Sequence, residues 1–121
     1  MTVIAYKRSE ELSQSDTADW VEKLSVSGGL QAGSYEIKAT CEFSSSLTTV
    51  SASVRVMLDG NAVNTDTYLP PSAYDPHVAT FIGVLEVECF TQHSLSIEYK
   101  PNGAATAFIR HARLFIERSG G

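Results

Sequence analysis

The chain has 121 residues, enough for one two-layer domain and too few for two independent cores. Its formal net charge is -5, with nine Lys and Arg against fourteen Asp and Glu, and the only basic features are the pair Lys7-Arg8 and three arginines spread along the last strand, so the basic footprint that a nucleic-acid surface needs is missing. No apolar run approaches the roughly 18 residues of a membrane-spanning helix. With 43% hydrophobic and 19% charged residues, the surface must be built largely from Ser, Thr, Asn and Gln, which suits a protein that packs against neighbours and equally an extracellular type of β domain. The N-terminus carries no hydrophobic signal segment, so the expectation is a soluble protein made in the cytoplasm and not exported by the usual route.

Residues 2–6 read as a short edge strand. The polar stretch 7–19 has no clean period and one large apolar residue, Leu12, so it is expected to cross the end of the domain or reach out as an arm, which sets 1–19 apart from a domain at 20–118. Trp20, Val21, Leu24 and Val26 open the next strand, with the Trp20 ring expected to cover one end of the core, and Gly28-Gly29 turns the chain. The strongest signal follows. Tyr35, Ile37, Ala39, Cys41 and Phe43 alternate with Glu36, Lys38, Thr40 and Glu42, as a strand requires when one face packs on a core and the other meets water.

Residues 44–53 are rich in Ser and Thr and read as a loop or weak edge strand. Val54, Val56 and Leu58 alternate with Arg55, Met57 and Asp59, and Asp59-Gly60-Asn61 supplies hairpin chemistry before a strand at 62–67. From Tyr68 to Pro76 three prolines bar a regular ladder and leave two tyrosines, Tyr68 and Tyr74, available for contact. In the strand at 78–90, Phe81, Gly83, Leu85, Val87 and Cys89 share one face and Glu86 and Glu88 the other, with Gly83 read as a bulge or a close backbone approach. Leu95, Ile97 and Tyr99 alternate through 94–100, and Pro101-Asn102-Gly103 turns the chain. In the last strand, 105–118, Ala112, Leu114 and Ile116 face in while Arg113 and Glu117 face out. The mismatch between Phe108 and Ile109 predicts a bulge near Arg110. Residues 119–121 are expected as a frayed end. The whole reads as an all-β protein, an antiparallel β-sandwich of seven or eight strands with jelly-roll topology.

Little in this pattern calls for reaction chemistry. Two cysteines, Cys41 and Cys89, exclude a disulfide framework and a four-thiolate metal site. Both are expected as inward-facing thiols, and a bridge between them would need neighbouring strands and an oxidising compartment. His77, His93 and His111 would have to converge from separate elements to bind zinc. Asp59, Asn61, Asn64 and Asp66 do not follow the ligand order of a calcium loop, and Glu86 with Glu88 fits a solvated strand face as well as a carboxylate pair. No nucleophile elbow, phosphate-cradling loop or zinc-protease signature occurs. The expectation is a non-enzymatic protein without metal or cofactor.

Three segments, LQAGSYEI at 30–37, VRVMLDG at 54–60 (with Val54 leading) and IRHARLFIE at 109–117, resemble small jelly-roll proteins of tailed bacteriophages and prophages, which are also similar to the trimeric C1q and tumour-necrosis-factor type of domain. The chain lacks the collagen-like stalk of C1q proteins. The resemblance implies a structural role in a virion, as a capsid decoration or tail accessory protein that self-associates as a trimer and contacts other virion proteins, after synthesis in the host cytoplasm. It assigns partner contact to Tyr68, Leu69, Tyr74 and the stretch 7–19, and subunit contact to Phe108 and Phe115. Ile109 and Phe115, opposite in parity to the inferred core set, fit an outer-face interface. The alternative is a carbohydrate-binding module whose aromatic platform is Tyr68 and Tyr74.

Overall fold

Asp59 and Gly60 both take left-handed φ, at 52° and 82°, and Leu58 pairs with Asn61, as a two-residue type I′ hairpin loop requires. From that turn the chain runs outward in both directions as one long hairpin rolled into two sheets. The structure, a computed structural model, describes residues 2–118. Its strands are β1 (Thr2–Ser9), β2 (Ser13–Ser15), β3 (Val21–Leu30), β4 (Gly33–Ser45), β5 (Ala52–Leu58), β6 (Asn61–Tyr68), β7 (His77–Val87), β8 (Thr91–Pro101) and β9 (Ala107–Arg118). The hairpin ladders are β5 with β6, β4 with β7, β3 with β8 and β2 with β9, all antiparallel. Rolling adds β4 with β9 and β5 with β8. The result is a jelly-roll sandwich, one sheet ordered β1-β9-β4-β7 with β2 also on β9, the other β3-β8-β5-β6.

Among the described residues there are nine strands, where the sequence pattern suggested seven or eight. The added one is β2, three residues of the polar stretch that pair with Ile109, Phe108 and Ala107. That stretch is therefore laid along β9 between residues 7 and 15, with Lys7, Arg8 and Ser9 completing β1. The expected frayed end at 119–121 lies outside the described residues.

Between the sheets, β4 contributes Tyr35, Ile37, Ala39, Cys41 and Phe43, and β8 contributes Leu95, Ile97 and Tyr99, all 3% exposed or less. Burial pushes the Cys41 thiol up to about 12, so it is an inert apolar group here. Cys89 differs from expectation: β7 ends at Val87, and Cys89 lies exposed in the turn to β8. Residues 44–53 are also more structural than their composition suggested. Ser44 and Ser45 finish β4, and Ser53 lies in β5, an interior strand of its sheet. Ser53 Oγ shares a hydrogen bond with Thr67 Oγ1 (2.8 Å) and accepts one from Asn102 Nδ2 (2.8 Å), which lets a hydroxyl sit buried without the cost of an unpaired one.

Two further expectations are corrected. Gly83 is no bulge, since β4 and β7 pair without a break from Gly33 with Val87 to Phe43 with His77. Instead the Phe81 ring lies over it, 2.7 Å from where a Cβ would stand. Trp20 does not cap the core; the Arg55 guanidinium sits 4.3 Å and the Lys100 ammonium 5.0 Å from its ring, a cation–π arrangement on the outer face of the four-stranded sheet.

The bulge in β9 falls where the broken alternation pointed. The β4–β9 register slips between Thr40, opposite Arg113, and Glu42, opposite Arg110, so Cys41 faces two residues, His111 and Ala112. His111 takes φ 52°, the left-handed value found in one common bulge type. The extra residue changes the inward parity from odd to even, and Ile109, Ala112, Leu114 and Ile116 are all buried to 1% exposure or less. Ile109 is thus a core residue, not the outer-face contact its parity suggested. Ile109→Ala should lower unfolding stability by about 2–5 kcal/mol, the range for emptying a closed core site, measured by urea denaturation; a loss under about 1 kcal/mol would place the side chain outside the core.

Candidate functional site

The two outer faces of the sandwich differ in kind. On the four-stranded sheet, Ser25 pairs with Ser96 and Ser27 with Ser94, and Arg55 Nε donates to Glu98 Oε1 at 2.7 Å. On the five-stranded sheet, Cα partners run in rows across four strands: Tyr6, Phe115, Lys38 and Ile82 form one, and Val3, Glu117, Glu36 and Val84 the next. The Tyr6 and Phe115 rings lie 4.6 Å apart. Lys38 Nζ sits 3.3 Å from Glu36 and 3.4 Å from Glu117, and the hydrogen bond to Glu36 leads in raising its ammonium above the usual range.

Apolar exposure concentrates on that second face. Val3, Ile4, Tyr6, Val78, Ile82 and Val84 are exposed large hydrophobics of β1 and β7, the two edge strands, whereas the strands of the four-stranded sheet contribute only Val63. In β7 the inward set is Ala79, Phe81, Gly83, Leu85 and Val87, so Val78, Ile82 and Val84, at 57%, 61% and 71% exposure, point outward. No Lys or Pro interrupts this strand, although those are the residues that normally guard an exposed edge.

A groove lies at one end of the same sheet, where the proline loop folds back over β4. Tyr74 N donates to Ser45 O (3.0 Å) and Ser44 Oγ to Asp75 O (2.6 Å), which ties the loop down. Tyr68 turns in: its hydroxyl donates to Asp75 Oδ2 at 2.8 Å, its ring stacks on His77 at 4.7 Å, and the bond to Asp75 raises the phenol above its ordinary range. Tyr74 turns out. It is 59% exposed, takes φ 68°, and meets the Phe108 ring at 4.8 Å and 64°. With Leu12, Pro76, Glu42 and Arg110 these two rings line a cavity of about 260 Å³.

Charged groups continue from the groove across the bulge. Arg110 Nε donates to Glu42 Oε2 (2.8 Å), and His111 Nε2 stands 3.6 Å from the same oxygen. On its other side His111 Nδ1 meets Glu10 Oε2, while Arg113 donates to Glu10 Oε1 from Nε (3.0 Å) and from its terminal nitrogen (2.8 Å). The bond to His111, then that to Arg113, holds the Glu10 carboxyl below its usual range. The histidines do not converge: His77 faces Asp66, His93 faces Asp59 and His111 faces Glu10. Among the described residues no group of three or more His, Cys, Asp or Glu is placed to hold a metal ion.

Of the residues singled out from sequence, Tyr74 and Leu69 are exposed, Tyr68 is half-buried under the loop, Phe115 is half-buried on the outer sheet face and Ile109 is in the core. Tyr68 and Tyr74 therefore do not form one platform; the ring beside Tyr74 is Phe108. Missed were Tyr6, Val78, Ile82 and Val84, and the groove partners Glu42 and Arg110. The signal for β7 was present in the sequence, because three of its five even positions, Val78, Ile82 and Val84, are apolar where an edge strand facing water would carry polar residues.

No protein-family model matches the chain, and no curated protein matches it in sequence. Solved structures similar to it include the VP2 subviral particle of infectious bursal disease virus, 14% identical, covering 96% of this chain and 37% of that one, with a TM-score of 0.48. A family 35 carbohydrate-binding module from an environmental isolate is 13% identical, with coverage of 95% and 90% and a TM-score of 0.45. The insecticidal delta-endotoxin Cry8Ea1 from Bacillus thuringiensis is 15% identical, with coverage of 76% and 19% and a TM-score of 0.43. The chain thus spans about a fifth of the endotoxin chain and little over a third of the VP2 chain.

Glu10 fastens the β1–β2 connection to β9 through a lowered carboxyl. A group lowered on folding stabilises fully above its ordinary value and loses that contribution as pH falls through its folded value. Acidification from about pH 5 to pH 3 should lower the melting temperature of the wild type more steeply than that of Glu10→Gln, with faster hydrogen exchange in β1 and β2. Parallel pH profiles of the two proteins would mean that the contact contributes nothing to stability.

Proposed function

We propose that the chain is a non-enzymatic structural subunit that self-associates as a trimer through the outer face of its five-stranded sheet, and that it sits beside capsid or tail subunits in a phage or prophage particle. The observation that supports this reading best is the one-sided distribution of apolar surface. Val3, Ile4, Tyr6, Val78, Ile82 and Val84 are exposed on one sheet, against Val63 alone on the other. A lone domain gains nothing from such a face and risks aggregation by it. A closed symmetric oligomer covers it on every copy.

The chemistry of the face suits burial. Tyr6 and Phe115 are already stacked, an aromatic pair of the kind that anchors interface centres. Lys38 is paired on two sides by Glu36 and Glu117, so covering it leaves no unpaired ammonium, while the one carboxylate in excess favours its staying near the solvated rim. The particle assignment rests on the resemblance carried by residues 30–37, 54–60 and 109–117. A sugar-binding module acting as a monomer, the other reading of the sequence, has no use for this face.

Light scattering on the purified protein should give three times the chain mass. Ile82→Lys, a change at a side chain 61% exposed, should yield the monomer with an unchanged circular dichroism spectrum. A monomeric wild type at the same concentration would remove the reading.

A further inference from the structure

The groove under Tyr74 plays no part in self-association through Ile82 and Val84, and its lining has a chemistry of its own. We propose that it binds one pyranose ring of a carbohydrate, with Tyr74 as the stacking surface and Glu42 and Arg110 as hydrogen-bonding partners of the hydroxyl groups. The juxtaposition is specific. Tyr74 and Phe108 meet at 64°, so their rings form a corner in place of a flat stack. The wall beside them carries the Glu42–Arg110 pair. Arg110 is engaged through Nε alone, and its bond to Glu42 and the 3.6 Å approach of His111 both fall on Oε2, which leaves the terminal guanidinium nitrogens and Glu42 Oε1 for a ligand.

Ligand class follows by matching charge and polarity. A purely apolar occupant would take water from Glu42 and Arg110 and return no hydrogen bonds. An anion would meet the Glu42 carboxylate and the negative face of the Tyr74 ring, and a cation would meet the Arg110 guanidinium. A neutral polyol with one C–H face and hydroxyl groups at its edge satisfies both the ring and the ion pair. The volume, about 260 Å³, lies just under the roughly 300–1,000 Å³ usual for drug-sized ligands, which suits a single sugar ring.

Backbone strain supports the assignment. A bulky aromatic at φ 68° is an outlier that is costly for a side chain with a Cβ, and it is held there by the Tyr74 N to Ser45 O bond. The strain does not serve core packing, because the side chain remains 59% exposed. It serves presentation of the ring beside Phe108.

Saturation-transfer NMR with the methyl glycosides of glucose, galactose, mannose and N-acetylglucosamine, at millimolar concentration, tests this. Transfer to the ring C–H protons of at least one glycoside is expected. It should be lost in Tyr74→Asn, since asparagine accepts the left-handed backbone and removes the ring, and reduced at least severalfold in Glu42→Ala. Amide spectra identify a variant that fails to fold, in which case Phe108→Leu takes its place with the same expected loss. Transfer to none of the four, equal transfer in the ring-deleted variant, or cyclohexanol binding as strongly as any sugar would overturn the proposal.

Discussion

One extra residue in β9 governs both the interior of this protein and its most distinctive surface feature. Without the bulge at His111 and Ala112, a strand that buries Ala107 and Ile109 would turn Ala112, Leu114 and Ile116 toward water. All five are buried to 1% exposure or less, and β9 touches β1, β2 and β4, so a misdirected half of this strand would empty the middle of the core. The cost is His111 at φ 52°, unfavourable for a side chain of that size. That cost is offset by burying Leu114 and Ile116 on the same side as Ile109, worth about 1.5–3 kcal/mol each, and by the Glu10 contacts that hold the bulge from outside. The same slip turns Arg110 and His111 both outward; Arg110 meets Glu42 and builds the charged wall of the groove, and His111 stands outside it, 3.6 Å from the same carboxylate oxygen. Core parity and groove chemistry are two results of one backbone irregularity.

The sequence was most legible where a single period persists. In β4 and β8 the alternation is unbroken, and Tyr35 through Phe43 and Leu95 through Tyr99 lie buried as their spacing indicates. The Asp59-Gly60 turn was equally plain, because only residues tolerant of positive φ fit it. Ile109 was misassigned, although the bulge was located, because parity is defined only on one side of the slip at a time. Cys89 was misassigned because nothing in the chain's chemistry marks the end of β7 at Val87. Tyr68 and Tyr74 look alike in sequence. They part only through contacts with His77 and Phe108, which lie on other elements. The apolar outward positions Val78, Ile82 and Val84 of β7 were hidden behind Glu86 and, just beyond its end, Glu88, polar residues that stood for the whole segment.

Low charge and high Ser and Thr content take on a definite meaning once the faces are known. The four-stranded sheet meets water with serine ladders and the Arg55–Glu98 pair, reinforced by Trp20 lying under Arg55 and Lys100. The five-stranded sheet carries the triad around Lys38 and, toward the groove, the Glu42–Arg110 and Glu10–Arg113 pairs, and it sets exposed apolar side chains along its two edges. In a small sandwich each face must be polar, covered or paired. Here one is polar, and the other exposes Tyr6, Val78, Ile82 and Val84, the surface that the proposed self-association would cover. The tied proline loop projects Tyr74 at the end of that sheet.

Hydroxyl-radical footprinting of the wild-type protein, read by mass spectrometry, addresses that cover directly, because it reports the solvent contact of individual side chains. With the proposed trimer formed, Tyr6 and Ile82 should be oxidised far less than their exposure in a single chain implies, while Phe90 and Leu12, exposed to 69% and 61% away from the middle of that sheet, should be oxidised freely. Oxidation of all four in proportion to single-chain exposure would contradict it, and would mean that the apolar face stands open to water.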